Sequence, residues 1–331
     1  MNYLQTAQYF TGYYLDLLKE KKFIRRELEP LVDACCSNLQ YTLSKPDRKK
    51  ILIYYPCFTV LAGAENFLLL KNRKLNADER WKLTIVSAMS SLCDDLIDEE
   101  NWTTEQLFDL MELKTEQLPL SPKAKIILFL NDTLYQRQPP SKAYEAQLRV
   151  AIGWQAASLK QLDSNISTEE IIHISKEKNG NTSLMFACLL DEVWSETEKQ
   201  IIHQSGYIGQ LVNDAYDVFK DINDNVHTYI RRAHSIDEAE ELFITEWKKL
   251  AALIHTSNAS KANQQRLIKK FACIHAYALV AFDQFRLIEQ KKGKPIIWKD
   301  VIRKELVIDM ELWPTRFKLL KSIVRLGNIK P

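Results

Sequence analysis

Two clusters of acidic residues stand out from an otherwise unremarkable chain. The first, Ser91-Leu92-Cys93-Asp94-Asp95-Leu96-Ile97-Asp98-Glu99-Glu100, closes a stretch that is apolar or small from Leu83 onward. In a helix, Asp94 and Asp98 share one face, with Cβ atoms about 5–6 Å apart, and Asp95 lies a step round. Carboxylates at a helix C-terminus face the negative end of the dipole, which is costly unless a cation compensates. The second cluster runs Gly209-Gln210-Leu211-Val212-Asn213-Asp214-Ala215-Tyr216-Asp217-Val218-Phe219-Lys220-Asp221. Asn213, Asp217 and Asp221 recur every four residues and predict an oxygen-bearing stripe over two helical turns. Beside them Leu211, Val212, Ala215, Val218 and Phe219 are apolar, as in a core helix. Such a stripe needs partners. Mg²⁺ is suited to it, because it demands oxygen ligands, keeps some water and shares one or two carboxylates with substrate phosphates. The plainer alternative is two solvated polar helix faces.

Taken together, the clusters resemble the two metal motifs of class I isoprenoid synthases, the group of terpene synthases, trans-prenyltransferases and squalene/phytoene synthases. Asp94-Asp95-Leu96-Ile97-Asp98-Glu99 is similar to the Asp-rich DDxxD(E) motif. Asn213 and Asp214, with Asp217 in the Ser/Thr place and Asp221 in the Glu place, are similar to the second terpene synthase motif. The resemblance spans roughly Ile85 to Ile230. It implies a single antiparallel helical bundle with a central active-site cavity, and a prenyl diphosphate substrate. It further implies three Mg²⁺ ions, or Mn²⁺ in their place, held by Asp94, Asp98, Asn213, Asp217 and Asp221. Those five residues and Asp95 are then the catalytic set.

A diphosphate also wants cations from the protein. No arginine occurs between Arg149 and Arg231, but Ile174-Ser175-Lys176-Glu177-Lys178-Asn179-Gly180-Asn181-Thr182-Ser183-Leu184 offers lysines. It resembles the Lys-bearing segment ahead of the second motif in prenyltransferases. That assigns the diphosphate to Lys178, a compact charge, with Thr182 and Ser183 as hydroxyl donors. Gln155, Gln210 and Arg231 complete the expected substrate contacts. The expected apolar walls are Phe58, Leu61, Phe67, Met89, Trp154, Phe186 and Tyr216. The six histidines show no paired-ligand spacing and receive no role.

Under this resemblance the metals and Lys178 stabilise the departing diphosphate while the allylic carbon becomes cationic, and apolar walls exclude water. No nucleophilic side chain is required, in keeping with the lack of a Ser/His/Asp or Cys/His arrangement. Asn101-Trp102-Thr103-Thr104 stands where trans-prenyltransferases carry two arginines, which argues against chain elongation. The Asp94–Asp98 and Asp217–Asp221 pairs also fit the twin DxxxD pattern of squalene/phytoene synthases. The expected order is therefore a cyclising or eliminating terpene synthase, then head-to-head condensation, then elongation. A helical binding protein without turnover is the reading from another class.

The elements that must position these acids are helices. Gly (8) and Pro (10) are scarce in 331 residues, roughly a third and three-fifths of average usage, and no βαβ rhythm or Gly-rich phosphate loop occurs. Ser167 with Glu170, and Ser235 with Glu238, read as capping boxes. Asn76-Ala77-Asp78 starts a helix running to about Asp98. With no linker or repeat, the chain reads as one all-α domain over residues 1–331.

Bulk properties exclude some partners. The 45 basic and 43 acidic residues give a net charge of +2, with no basic stripe of the kind a nucleic-acid binder shows. Cys35, Cys36, Cys57, Cys93, Cys188 and Cys273 form no CxxC pair and predict reduced, buried thiols in a cytoplasmic protein. Residues 1–20 lack the pattern of a signal peptide. The apolar window Ile51–Leu70 is broken by Glu65, so no transmembrane segment is expected. By analogy with helical enzymes of this type, a homodimer is expected.

Overall fold

A computed structural model describes residues 1–330. They are all-α, with no strand among the described residues. The chain forms two compact units. One comprises residues 11–156 and 184–193, the other residues 1–10, 157–183 and 194–330.

The first unit is organised on the Ala77–Asp98 helix, which begins and ends where the sequence predicts. Asn76 accepts from the Glu79 backbone N–H at 2.8 Å, and Glu79 returns the bond to the Asn76 N–H at 3.0 Å, a complete capping box. Glu79 is fully buried, and the Arg73 guanidinium forks onto both of its oxygens at 2.6 and 2.8 Å. The Pro122–Arg137 helix packs along this helix in the antiparallel sense. Lys123 at its start pairs with Asp95 and Glu99 at the far end of the first, while Arg137 lies 4.3 Å over the Trp81 ring near the beginning. Upstream, two π-helical turns, Lys50–Tyr54 and Thr59–Ala64, flank the short Tyr55–Phe58 helix.

The second unit is organised on the Glu196–Tyr216 helix, capped by a Ser195/Glu198 box. It packs on the Ile236–Thr256, Lys261–His275 and Tyr277–Lys292 helices. At the Thr168–Ala187 helix Ser167 Oγ accepts from the Glu170 N–H at 3.1 Å, the N-cap half of the expected box, while the Glu170 carboxylate accepts from Lys160 at 3.0 Å. Before the Ile236–Thr256 helix, Ser235 accepts from the Glu238 N–H, but the Glu238 carboxylate accepts from the His234 N–H instead of closing a box. Lys261–Lys292 is long and apolar enough to pass for a membrane span, yet two-thirds of its most apolar window is buried inside the fold. It is broken at Ala276 into two core helices.

None of the six cysteines is in a disulfide, and Cys35, Cys57 and Cys273 are buried. Burial pushes the Cys35 and Cys57 thiols up to about 11, which makes them poor nucleophiles at neutral pH.

Candidate functional site

The three aspartates of the first cluster have different surroundings. Asp95 is buried and carries two lysines, Lys50 Nζ at 2.9 Å on one oxygen and Lys123 Nζ at 3.0 Å on the other. Burial alone would lower Lys123, but the hydrogen bonds it donates to Glu99 and Asp95 outweigh it and hold the ammonium above its ordinary value. Lys123 sits at the wrong end of its own helix dipole, and the opposing helix C-terminus with its acids compensates. Asp94, half-buried, accepts from the Tyr55 hydroxyl at 3.1 Å. Asp98 is exposed, with the Gln155 amide 3.5 Å away. The expectation that Asp95 joins the catalytic set therefore meets a carboxylate whose two oxygens are already engaged by ammonium groups. Asp94 and Asp98 form the pair on the accessible face.

The second cluster departs from an even stripe. The Glu196–Tyr216 helix ends at Asp217, and a short helix, Val218–Asn223, continues from it. The i to i+4 backbone bonds still run through, Asp217 N–H to Asn213 at 2.9 Å and Asp221 N–H to Asp217 at 2.8 Å. The spacing survives the bend. Asn213 is exposed and its amide donates to Asp217 at 3.0 Å.

Behind that pair two carboxylates are buried, Asp221, which the sequence assigned to metal, and Asp214, to which it gave no site role. Asp214 accepts from Gln210 Nε2 at 2.6 Å with one oxygen, and its other oxygen is buried without a hydrogen bond. Asp221 also buries an oxygen without a partner. Burial raises the Asp214 carboxyl to about 7, against the pull of Gln210 and Lys178. Burial, with the charges of Asp214 and Asp217, raises Asp221 to about 8. Asp217 is raised by burial too, and Lys220 and Asn213 offset part of it. Gln210, Asp214, Asp217 and Asp221 fall at i, i+4, i+7 and i+11, the helical spacing that could have shown the row.

Such a row is unfavourable by itself. Buried carboxylates are normally paired or coordinate a cation, and two buried oxygens without partners are what an oxygen-seeking divalent ion would satisfy. Among the described residues no three His, Cys, Asp or Glu side chains converge as a ready-made metal cage. An ion held here must take further oxygens from Asn213, water or a ligand, which is the habit of Mg²⁺.

Lys178 is half-buried on the uninterrupted Thr168–Ala187 helix, and its ammonium donates to Ser158 Oγ at 3.3 Å. Thr182 spends its hydroxyl on the Lys178 carbonyl at 2.8 Å. Ser183 lies at a close helix crossing, where a Cβ on Gly206 would strike the Asn179 carbonyl and the Ser183 hydroxyl. At the same crossing a Cβ on Gly180 would strike the His203 ring. Arg231 donates to the backbone carbonyls of Asp221 (2.9 Å) and Val226, so it braces the loop after the second cluster. Of the expected apolar walls, Leu61, Phe67 and Met89 are buried, and Trp154, Phe186 and Tyr216 are half-buried. Phe58 is a correction: it is 60% exposed, because its short helix between the two π-turns directs it to solvent. His275, given no role from sequence, is buried against Trp247 and Phe271 with neither ring nitrogen hydrogen-bonded.

No protein-family model matches the chain, and no curated protein matches it by sequence. Among solved structures it is similar to a dehydrosqualene synthase crystallised with a ligand, at 15% identity and a TM-score of 0.41, over 85% of this chain and 97% of that one. A likeness at that level bears on neither activity nor substrate.

Proposed function

We propose that this chain is a Mg²⁺-dependent enzyme that ionises an allylic prenyl diphosphate, releasing diphosphate and guiding the carbocation to cyclisation or elimination. The observation that supports this reading is the second acid row, whose two buried, partnerless oxygens and raised carboxyl groups call for a divalent cation. Asn213, Asp217 and Asp221 would hold metal on that row, and Asp94 and Asp98 on the first. When bound, the ions supply positive charge to the leaving diphosphate. Lys178 adds a fixed ammonium to the same task, held by Ser158. Asp95, already neutralised by Lys50 and Lys123, steadies the end of the Ala77–Asp98 helix.

That division of labour in the first cluster also favours a second reading. With Asp95 engaged, the cluster works as an Asp94–Asp98 pair, the counterpart of Asp217–Asp221. A twin pair of this kind is the pattern resembling squalene/phytoene synthases, which join two substrate molecules head to head.

The test is Mg²⁺-dependent release of inorganic diphosphate from a series of allylic diphosphates of increasing chain length. Release that Asp94→Ala and Asn213→Ala abolish supports the enzyme. No release from any member refutes it and leaves a binding protein. Product analysis then separates the readings: one substrate carbon skeleton per product for a terpene synthase, two for a condensing enzyme.

A further inference from the structure

The Trp313–Leu326 helix has two apolar stripes, and the fold uses one. Leu319, Ser322, Ile323 and Leu326 are buried against the Tyr277–Lys292 and Lys261–His275 helices. On another side Trp313, Phe317, Leu320 and Val324 follow at i, i+4, i+7 and i+11. Trp313 is 70% exposed, Phe317 60%, and Leu312 just ahead of the helix 54%. The Trp313 and Phe317 rings lie 6.5 Å apart, and the Arg316 guanidinium sits 5.4 Å over Trp313. Solvated singly, such residues need no explanation, but a contiguous aromatic stripe on one helix does.

The charge around the stripe says what covers it. From 291 to 331 the chain carries eleven Lys and Arg against four Asp and Glu, although the whole chain nets only +2. Arg316 and Lys321 flank the stripe, and Lys318 and Arg325 follow on the polar side. Among the described residues neither Lys318 nor Lys321 enters an ion pair. A second copy docked through this face would bring a second set of the same cations onto a patch that is already basic. An anionic surface meets the same groups with opposite charge. Trp and Phe on one face with Lys and Arg beside them is the composition of a helix lying in a lipid interface.

We infer that the Trp313–Leu326 helix docks this protein on the surface of an anionic bilayer, seating Trp313 and Phe317 at the headgroup level and holding them there with Arg316, Lys318 and Lys321. The inference does not depend on the proposed chemistry. Co-sedimentation is measured with vesicles of phosphatidylcholine containing about 30% phosphatidylglycerol, against pure phosphatidylcholine, at low and high salt. The full chain partitions to the anionic vesicles and is released by salt. Combined Trp313→Ala and Phe317→Ala lowers the partition about tenfold or more. Combined Lys318→Gln and Lys321→Gln lowers it on anionic vesicles and removes most of the salt dependence. All four positions face solvent, so the circular dichroism of both variants stays that of the parent. Equal sedimentation with and without vesicles overturns the inference, as does binding that both variants leave intact. A concentration-dependent dimer that the aromatic variant dissolves overturns it too, in favour of a second copy.

Discussion

Gln210 donates a 2.6 Å hydrogen bond to one oxygen of Asp214, one turn further along the same helix, and the second oxygen of Asp214 is buried with nothing bonded to it. An amide can orient a carboxylate but cannot neutralise it. The row therefore has two stable conditions, protonated or cation-bound, and both can be tested.

The first test is pH. Asp214 and Asp221 stand at about 7 and about 8 in the folded chain, against an ordinary value of 3.8. Between about pH 4 and 8 the native state holds protons that the unfolded state has lost, so stability falls as pH rises through that window and levels off above it. Each group contributes at most about 1.4 kcal/mol per pH unit. Urea midpoints in chelator are expected to drop from pH 5 to pH 8. Asp221→Asn flattens the slope and leaves the variant more stable than its parent at pH 8. A midpoint that climbs over this range contradicts the buried row.

Metal binding should be cooperative with diphosphate. With no preformed cage of three ligating acids among the described residues, Mg²⁺ alone must bind weakly, and ligand phosphate oxygens complete its shell. Calorimetric titration is expected to give millimolar-range Mg²⁺ affinity alone, tightening by about tenfold or more when inorganic pyrophosphate is present. Equal affinity in both conditions would falsify the shared-ligand picture.

Asp95 and Asp98 should separate stability from activity. Asp95→Ala strands Lys50 and Lys123 beside a buried vacancy and is expected to cost about 3 kcal/mol of stability. Asp98→Ala removes an exposed carboxylate and should change stability by about 0.5 kcal/mol or less. Diphosphate release nevertheless falls by about a hundredfold or more in Asp98→Ala. Thermal melts alongside single-turnover assays decide it, and a swapped pattern assigns the chemistry to Asp95.

The crossing of the Thr168–Ala187 and Glu196–Tyr216 helices can be probed at Gly206. Its missing side chain admits the Asn179 carbonyl and Ser183 hydroxyl, and the same pair of helices carries Lys178 and Asp214. Gly206→Ala overpacks this contact and should cost about 1–3 kcal/mol. A melt unchanged from the parent would show that the helices yield without cost.

Much of the local architecture was legible from residue spacing. The helix start at Asn76, the Ser167 N-cap and the end of the helix at Asp98 all follow from contacts three or four residues apart, which the chain makes with itself. The Asp94–Asp98 and Asn213–Asp217–Asp221 spacings are of the same kind. What spacing could not show is which carboxylates are already neutralised. Asp95 meets Lys50 from 45 residues upstream and Lys123 from 28 downstream, and periodicity carries no information about such partners.

The sequence by itself determined that this protein is helical and that it carries two acid rows, because capping and helical periodicity are short-range properties of the backbone. Tertiary packing alone decided that Asp95 is a paired structural carboxylate, that Asp214 and Asp221 lie desolvated with oxygens to spare, and that Phe58 faces water. Burial and charge pairing depend on what distant segments bring to a side chain, and they set the energy of every ionisable group.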